Sequence, residues 1–397
     1  MVTATAGKDV SDADYIARAQ ALVPKLRAQS EATNALGRVP RESIDEMLDA
    51  GLFTLLQPKR FGGTERGLVP FVDCAIALGS GCGSTGWVFS VVSIHQFHLG
   101  LFGLEAQEEV WGNNPNALLA SSYMPGGKTR AVAGGYRISG RWKFSSGCDN
   151  GEWFILGGFV DGGDGKPPVQ YYFLLPKADV NIHHDSWKVM GLAGTGSKDV
   201  SVEDAFVPSH RLLLVQDAYD GVSPGSKVNP YPLYHLPMMA VFPLCLSLPG
   251  VGVAKGAIAR YIEMMKSFTT KSSGKSVADF HNSQIRLAEA SVLVESVELL
   301  LQRDMRETMA IRAERQLTNE ERVRNRRDYT WAAETSTRAV DLLYKMTGGA
   351  GLHDGNELLR SFRDAHAIGM HIGNNWDIAG PLYGSVMLGR ATAGMNY

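Results

Sequence analysis

Cysteine is scarce. The 397 residues contain four (Cys74, Cys82, Cys148 and Cys245), with no CxxC spacing and no cysteine–histidine cluster. Zinc and dithiol motifs are thereby excluded, and unpaired thiols in a reducing, cytoplasmic setting are expected. An excess of either charge is also missing. Lys and Arg number 39 against 41 Asp and Glu, a formal net charge of −2, which gives no footprint for nucleic acid or an anionic membrane. The most apolar stretch, Leu236–Ala254, is interrupted by Pro237, Pro243 and Pro249 and reads as an irregular lead-in to a buried helix rather than a membrane span. The start, MVTATAGKDVSD, lacks the basic and apolar regions of a secretion signal. Neither GxxxxGK[ST] nor HExxH occurs. Gly81-Cys82-Gly83-Ser84-Thr85-Gly86 matches GxGxxG, but a helix rather than a strand is predicted before it, so a nicotinamide site has no frame. Reducing equivalents are expected to come from another protein.

The composition is otherwise that of a packed protein, 44% hydrophobic and 20% charged. Residues 1–118 read as helical. Ser11 and Asp14 form a capping box, Pro40 opens a helix over Arg41–Ala50, and apolar helices cover Leu68–Leu78 and Thr85–Phe102, the last apolar all round and hence buried. Residues 119–215 carry short runs rich in Val, Ile, Tyr, Phe and Trp, separated by turn signals, and read as an antiparallel β unit. Residues 216–397 return to long helical periods, Gly250–Thr269, Val277–Ala310 and Glu320–Met346, the last capped by Thr318 and Glu321. The arginine run Arg322–Arg327 reads as a solvated face. The predicted class is α+β, mostly helical: an N-terminal helical domain, a middle β-sandwich or barrel, and a C-terminal helical bundle that also mediates oligomerisation. His183 and His184 read as turn residues, and His353 and His366 follow no ligand spacing, so no metal is expected.

Several stretches together resemble the acyl-CoA dehydrogenase fold. They are Pro40–Phe53, Pro58–Gly63, Trp142–Gly147, Gly191–Ser197, Val202–Pro208, Gly348–Gly351, and Arg360 with Arg363-Asp364. Within that superfamily, Trp142 with Phe144–Gly147, Gly86-Trp87 followed by His95, and His371 followed by Asn374–Asp377 are similar to one branch. That branch is the oxygenase components of two-component flavin-dependent monooxygenases of the hydroxyphenylacetate hydroxylase type. The Tyr-Glu-Gly-Thr-like stretch carrying the dehydrogenase base is missing, which disfavours acyl-CoA oxidation because no carboxylate would take the α-proton.

The resemblance implies aromatic hydroxylation of a phenol- or indole-type substrate through a flavin C4a-hydroperoxide. The co-substrates would be dioxygen and reduced FMN or FADH2 from a separate NAD(P)H-dependent flavin reductase, and the assembly a homotetramer. It places Ser146 at flavin N5, with Ser121, Ser122, Tyr123, Trp142 and Ser145 as further cofactor contacts. Gly348, Gly349 and Gly351 would meet a neighbouring subunit's flavin tail. The family carries an arginine shortly after the position of Phe268; here Lys271 is the available cation for the phosphate. His371 is expected to be the base, and His95 a buried hydrogen-bonding group beside flavin and substrate. Trp87 and Trp376, with Phe97 and Tyr383, are candidate aromatic walls. A sulfur or nitrogen oxygenase on the same frame is the alternative, since such substrates are already nucleophilic and need less help from a base.

Overall fold

The computed structural model describes residues 10–163, 165–269 and 274–390. Lys271, the expected phosphate cation, lies outside the described residues. Five helices come first: α1 (Asp12–Leu36), α2 (Arg41–Asp49), α3 (Leu68–Gly81), α4 (Gly83–Leu99) and α5 (Leu104–Trp111). Seven strands follow: β1 (Leu119–Val132), β2 (Gly135–Ser145), β3 (Trp153–Val160), β4 (Val169–Pro176), β5 (Asn181–His183), β6 (Lys198–Pro208) and β7 (Leu212–Leu214). Then come α6 (Val215–Asp220), α7 (Met238–Ser267), α8 (His281–Glu314), α9 (Asn319–Tyr344), α10 (Glu357–Gly369) and α11 (Trp376–Met387). Both expected capping boxes form, at Ser11 and Thr318.

Every residue of α4 is buried, as its all-round apolar sequence requires. The GxGxxG match lies at the junction of α3 and α4 and serves packing. A Cβ on Gly86 would come within 2.5 Å of Gly79 Cα, and one on Gly252 within 2.8 Å of the same atom. These glycines let α3, α4 and α7 touch backbone to backbone.

Helix α7 begins at Met238, not Gly250, and carries Pro243 and Pro249 inside it, so the expected irregular lead-in is helix. Proline removes one ladder bond, and the carbonyl four residues back needs another donor. For Pro249 that carbonyl is Cys245, which accepts from Ser90 Oγ on α4 at 2.8 Å. The next carbonyl, Leu246, accepts from Asn374 Nδ2 at 2.9 Å. Helix α7 is long and apolar enough to cross a membrane, but 83% of its most apolar window is buried in the bundle.

The strands form one sheet in the order β5-β6-β2-β1-β3-β4-β7. The β1–β3 pair is parallel and the others antiparallel, so the wholly antiparallel expectation is corrected. The cause is local. After the β1–β2 hairpin the chain returns to the foot of β1, where Glu152 N–H donates to Leu118 O at 2.8 Å, and β3 sets out alongside β1. Ser121 and Ser122 pair with Ile155 and Leu156 inside β1, and the register shifts between Ser122 and Gly127. Trp142, Phe154 and Phe173 fill a separate core within the sheet unit.

Candidate active site between α4, the strand ends and the α10–α11 turn

Three elements converge: α4 with Trp87 and His95, the turn after β2 with Ser146, and the turn after α10 with His371. Trp87 connects two of the expected site residues. Its Nε1–H donates to Ser146 Oγ at 3.0 Å, and its ring lies 5.6 Å from that of His371. Ser146 also meets Ser197 Oγ at 2.7 Å, Ser197 meets Thr195 Oγ1 at 2.7 Å, and Thr195 Oγ1 donates to Leu192 O at 2.9 Å. Thr195 and Ser197 are buried, whereas Ser146 is partly open. Phe144, two residues before Ser146, adopts φ +63° and exposes its ring beside Trp187, 6.2 Å away; strain of this kind collects at functional sites.

His95 Nδ1 lies 2.6 Å from Leu119 O and Nε2 2.8 Å from Ser121 Oγ. A carbonyl can only accept, so Nδ1 carries the proton and Nε2 accepts from the serine. Burial drives the His95 pKa down to about 4, opposed by the Leu119 bond, and the ring is neutral at neutral pH. One turn on, His98 Nδ1 meets Tyr123 OH at 2.8 Å, and burial holds His98 well below its ordinary range. The Tyr123 ring is boxed by His98, Tyr172 and Phe242 at 4.9–5.1 Å.

His371 Nδ1 accepts from Gly373 N–H at 2.9 Å. A neutral ring so capped holds its proton on Nε2 and presents a donor. In this arrangement the Nδ1 lone pair of His371 is engaged by the backbone, and Nε2 is the nitrogen free to meet a ligand. Its pKa falls to about 4 through burial, then through the charge of Arg326. Arg326 is buried and binds Thr330 Oγ1 at 3.0 Å and the Gly373 carbonyl. The solvated face read from the arginine run is therefore wrong at this position. A Cβ on Gly373 would lie 2.3 Å from Leu246 Cδ1, so the turn is seated tightly on α7.

Other expected contacts fall elsewhere. Trp142 is buried in the sheet core, its Nε1–H on Gly157 O at 2.7 Å, and cannot face a ligand. Ser145 is fully buried, and its hydroxyl has no partner among the described residues. Ser122 Oγ donates to Lys143 O at 2.7 Å and braces β1 against the end of β2. Trp376 packs on Trp331, ring centroids 5.3 Å apart, and joins none of the site side chains by a ring contact among the described residues. Phe97 stacks on Tyr234 in the core, and Tyr383 lies under Arg327. Gly348 and Gly349 stand exposed on the Lys345–Leu352 turn, and Gly351 is packed against Thr347. Thr195, Ser197, His98, Arg326 and Gly373 were not singled out from sequence; only the Gly191–Ser197 stretch pointed toward two of them. Gly221-Val222-Ser223-Pro224-Gly225 matches GxSxG, but Ser223 is fully buried in the irregular link after α6.

The architecture is that of the acyl-CoA dehydrogenases. Residues 18–114 match the acyl-CoA dehydrogenase N-terminal domain and residues 244–376 the acyl-CoA dehydrogenase C-terminal domain. The chain is 36% identical over 384 residues to the FADH(2)-dependent resorcinol hydroxylase, oxygenase component, of Rhizobium sp. (strain MTP-10005), with 94% of each chain covered. It is 38% identical over 370 residues to the flavin-dependent monooxygenase, oxygenase subunit HsaA, of Rhodococcus jostii (strain RHA1), covering 93% of this chain and 96% of that one. The crystal structure of 3-HSA hydroxylase from Rhodococcus sp. RHA1 matches with a TM-score of 0.90 and 36% identity, over 96% of this chain and 98% of the other. The chain belongs to the oxygenase components of the flavin-dependent monooxygenases.

Proposed function

We propose that this oxygenase component hydroxylates a phenolic ring, with Ser121 and His95 acting together as the base. The protein is a reduced-flavin-dependent monooxygenase that adds one oxygen atom from dioxygen to a small aromatic substrate, its flavin reduced by a separate reductase. When bound, the reduced flavin activates dioxygen and supplies the oxygen atom. The residues present fit that group: Ser146 offers a partly open acceptor for the N5–H edge, and Trp87 and His371 offer ring faces beside it.

The observation that carries the base assignment is the 2.8 Å contact of Ser121 Oγ with His95 Nε2, backed by Nδ1 on Leu119 O. A phenol donating to Ser121 Oγ would pass its proton on. The serine proton moves to His95 Nε2, and the imidazolium so formed keeps its Nδ1–H on the carbonyl. Burial lowers the ring's pKa to about 4, so the imidazolium would need the phenolate charge nearby to form. Electron density then rises on the aromatic carbon to be attacked. His371, its proton on Nε2, acts as a hydrogen-bond donor beside Trp87 rather than as a base. Sulfur and amine substrates have no phenol proton to give, so the pair favours the phenol over the heteroatom alternative.

His95→Asn and Ser121→Ala are expected to lose roughly 10²–10⁴ in hydroxylation of resorcinol, used as probe, with reduced-flavin binding intact. More acidic phenols, already ionised, should restore much of the rate. Equal losses for acidic and ordinary phenols would overturn the base assignment. The exposed Gly348–Gly349 turn, and Ile285, Val292 and Leu299 exposed along α8, support a homotetramer in which a neighbouring copy completes the flavin site.

A further inference from the structure

The hydroxyl chain behind Ser146 has a direction. Three oxygen–oxygen contacts run from Leu192 O to Thr195 Oγ1 (2.9 Å), on to Ser197 Oγ (2.7 Å), and on to Ser146 Oγ (2.7 Å). Each is too short for two lone pairs to face one another, so each holds one proton. The chain has three hydroxyl protons for three gaps, and the carbonyl brings none. Thr195 must therefore donate to Leu192, Ser197 to Thr195, and Ser146 to Ser197. The remaining neighbour of Ser146 is Trp87 Nε1–H, which can only donate and fills one serine lone pair at 3.0 Å. Ser146 is left with no proton to give and one lone pair to offer, on a residue that is partly open while Thr195 and Ser197 are buried.

We infer that Thr195 and Ser197 are positioning residues that make the site select reduced over oxidised flavin, by fixing Ser146 as an acceptor. This rests on the proposed placement of Ser146 at the flavin N5 edge. Reduced flavin carries N5–H and donates to the free lone pair. Oxidised flavin carries a lone pair at N5 and meets the serine lone pair head on. The discrimination lies in the proton order of side chains about fifty residues away in sequence, and it would let the oxygenase take reduced flavin from solution and release the oxidised product. None of the three hydroxyl groups needs to titrate for this order to hold.

The test is anaerobic titration of the full chain with oxidised and with dithionite-reduced FAD and FMN, by fluorescence and calorimetry. Ser197→Ala frees the Ser146 proton to turn toward N5. Thr195→Val, close to isosteric, lets Ser197 reverse and donate to Ser146, with the same result. Both variants should tighten oxidised flavin roughly three- to tenfold relative to reduced flavin, the range expected for one hydrogen bond gained against one lost. Thr195→Ser keeps a hydroxyl in place and should retain the wild-type ratio. With Ser146→Ala as background, Ser197→Ala should change nothing further. If Ser146→Ala alters the ratio but Ser197→Ala and Thr195→Val do not, the proton-order proposal is wrong and the N5 placement stands. If Ser146→Ala itself leaves the ratio unchanged, the placement fails and takes the proposal with it.

Discussion

His95 shows what burial does to a single ionisable side chain. Its pKa drops from 6.5 to about 4 because the charged ring would lose its water. The folded state thus binds the proton less readily than the unfolded chain, and between these two values the unfolded chain holds more protons. Stability contributed by the neutral ring is complete above pH 6.5 and is lost as pH falls toward 4. His371 and His98 shift in the same direction. Denaturant unfolding is expected to show about 2 kcal/mol less stability at pH 5 than at pH 7.5 from His95 alone, and His95→Gln should flatten that slope. A slope of the opposite sign would mean that the ring is charged in the fold. Motif order singles out His95, Ser146 and His371 in the sequence, and the structure brings Ser146 and His371 to either side of Trp87. The tautomers of the two histidines could not be read from sequence, because they depend on which backbone groups close in: Leu119 O for one ring, Gly373 N–H for the other. Arg326 was hidden by its neighbours, since a run of arginines signals solvent and only the rotation of α9 buries one of them.

Among the elements, the helices were read well where periodicity or caps spoke, at α1, α3, α4 and α9. Helix α7 was shortened because prolines count against a helix when the side chains that compensate for them cannot be seen. The parallel β1–β3 pairing was invisible for a similar reason: alternation of apolar residues gives strands but not their neighbours. The glycines of the GxGxxG match form the most demanding contact between elements. Gly86→Ala is expected to push α4 from α3 and cost about 1–3 kcal/mol, read as a lowered melting temperature. An unchanged melting temperature would show that the two backbones can part without penalty.

For the molecule as a whole, Ile285, Val292 and Leu299 stand exposed on α8 at seven-residue spacing, on a helix otherwise rich in charge. Leu352, Met370 and Ile372 are exposed as well, near the turns that carry Gly348 and His371. Apolar surface of this kind signals a partner. Light scattering on the purified chain is expected to give four copies, and the double substitution Val292→Glu with Leu299→Glu a smaller species that retains flavin less well. A monomeric wild type would remove the shared-site proposal.

The proline at position 249 has a consequence that reaches beyond helix geometry. By vacating one rung of α7, it leaves a carbonyl that Ser90 claims, and the following carbonyl is claimed by Asn374. Ser90 sits on the helix that holds Trp87 and His95, and Asn374 on the turn that holds His371. Two parts of the chain far apart in sequence are thus keyed to adjacent notches on a third. An unbroken α7 would remove the first notch, and the two histidines would no longer share a common reference for their spacing.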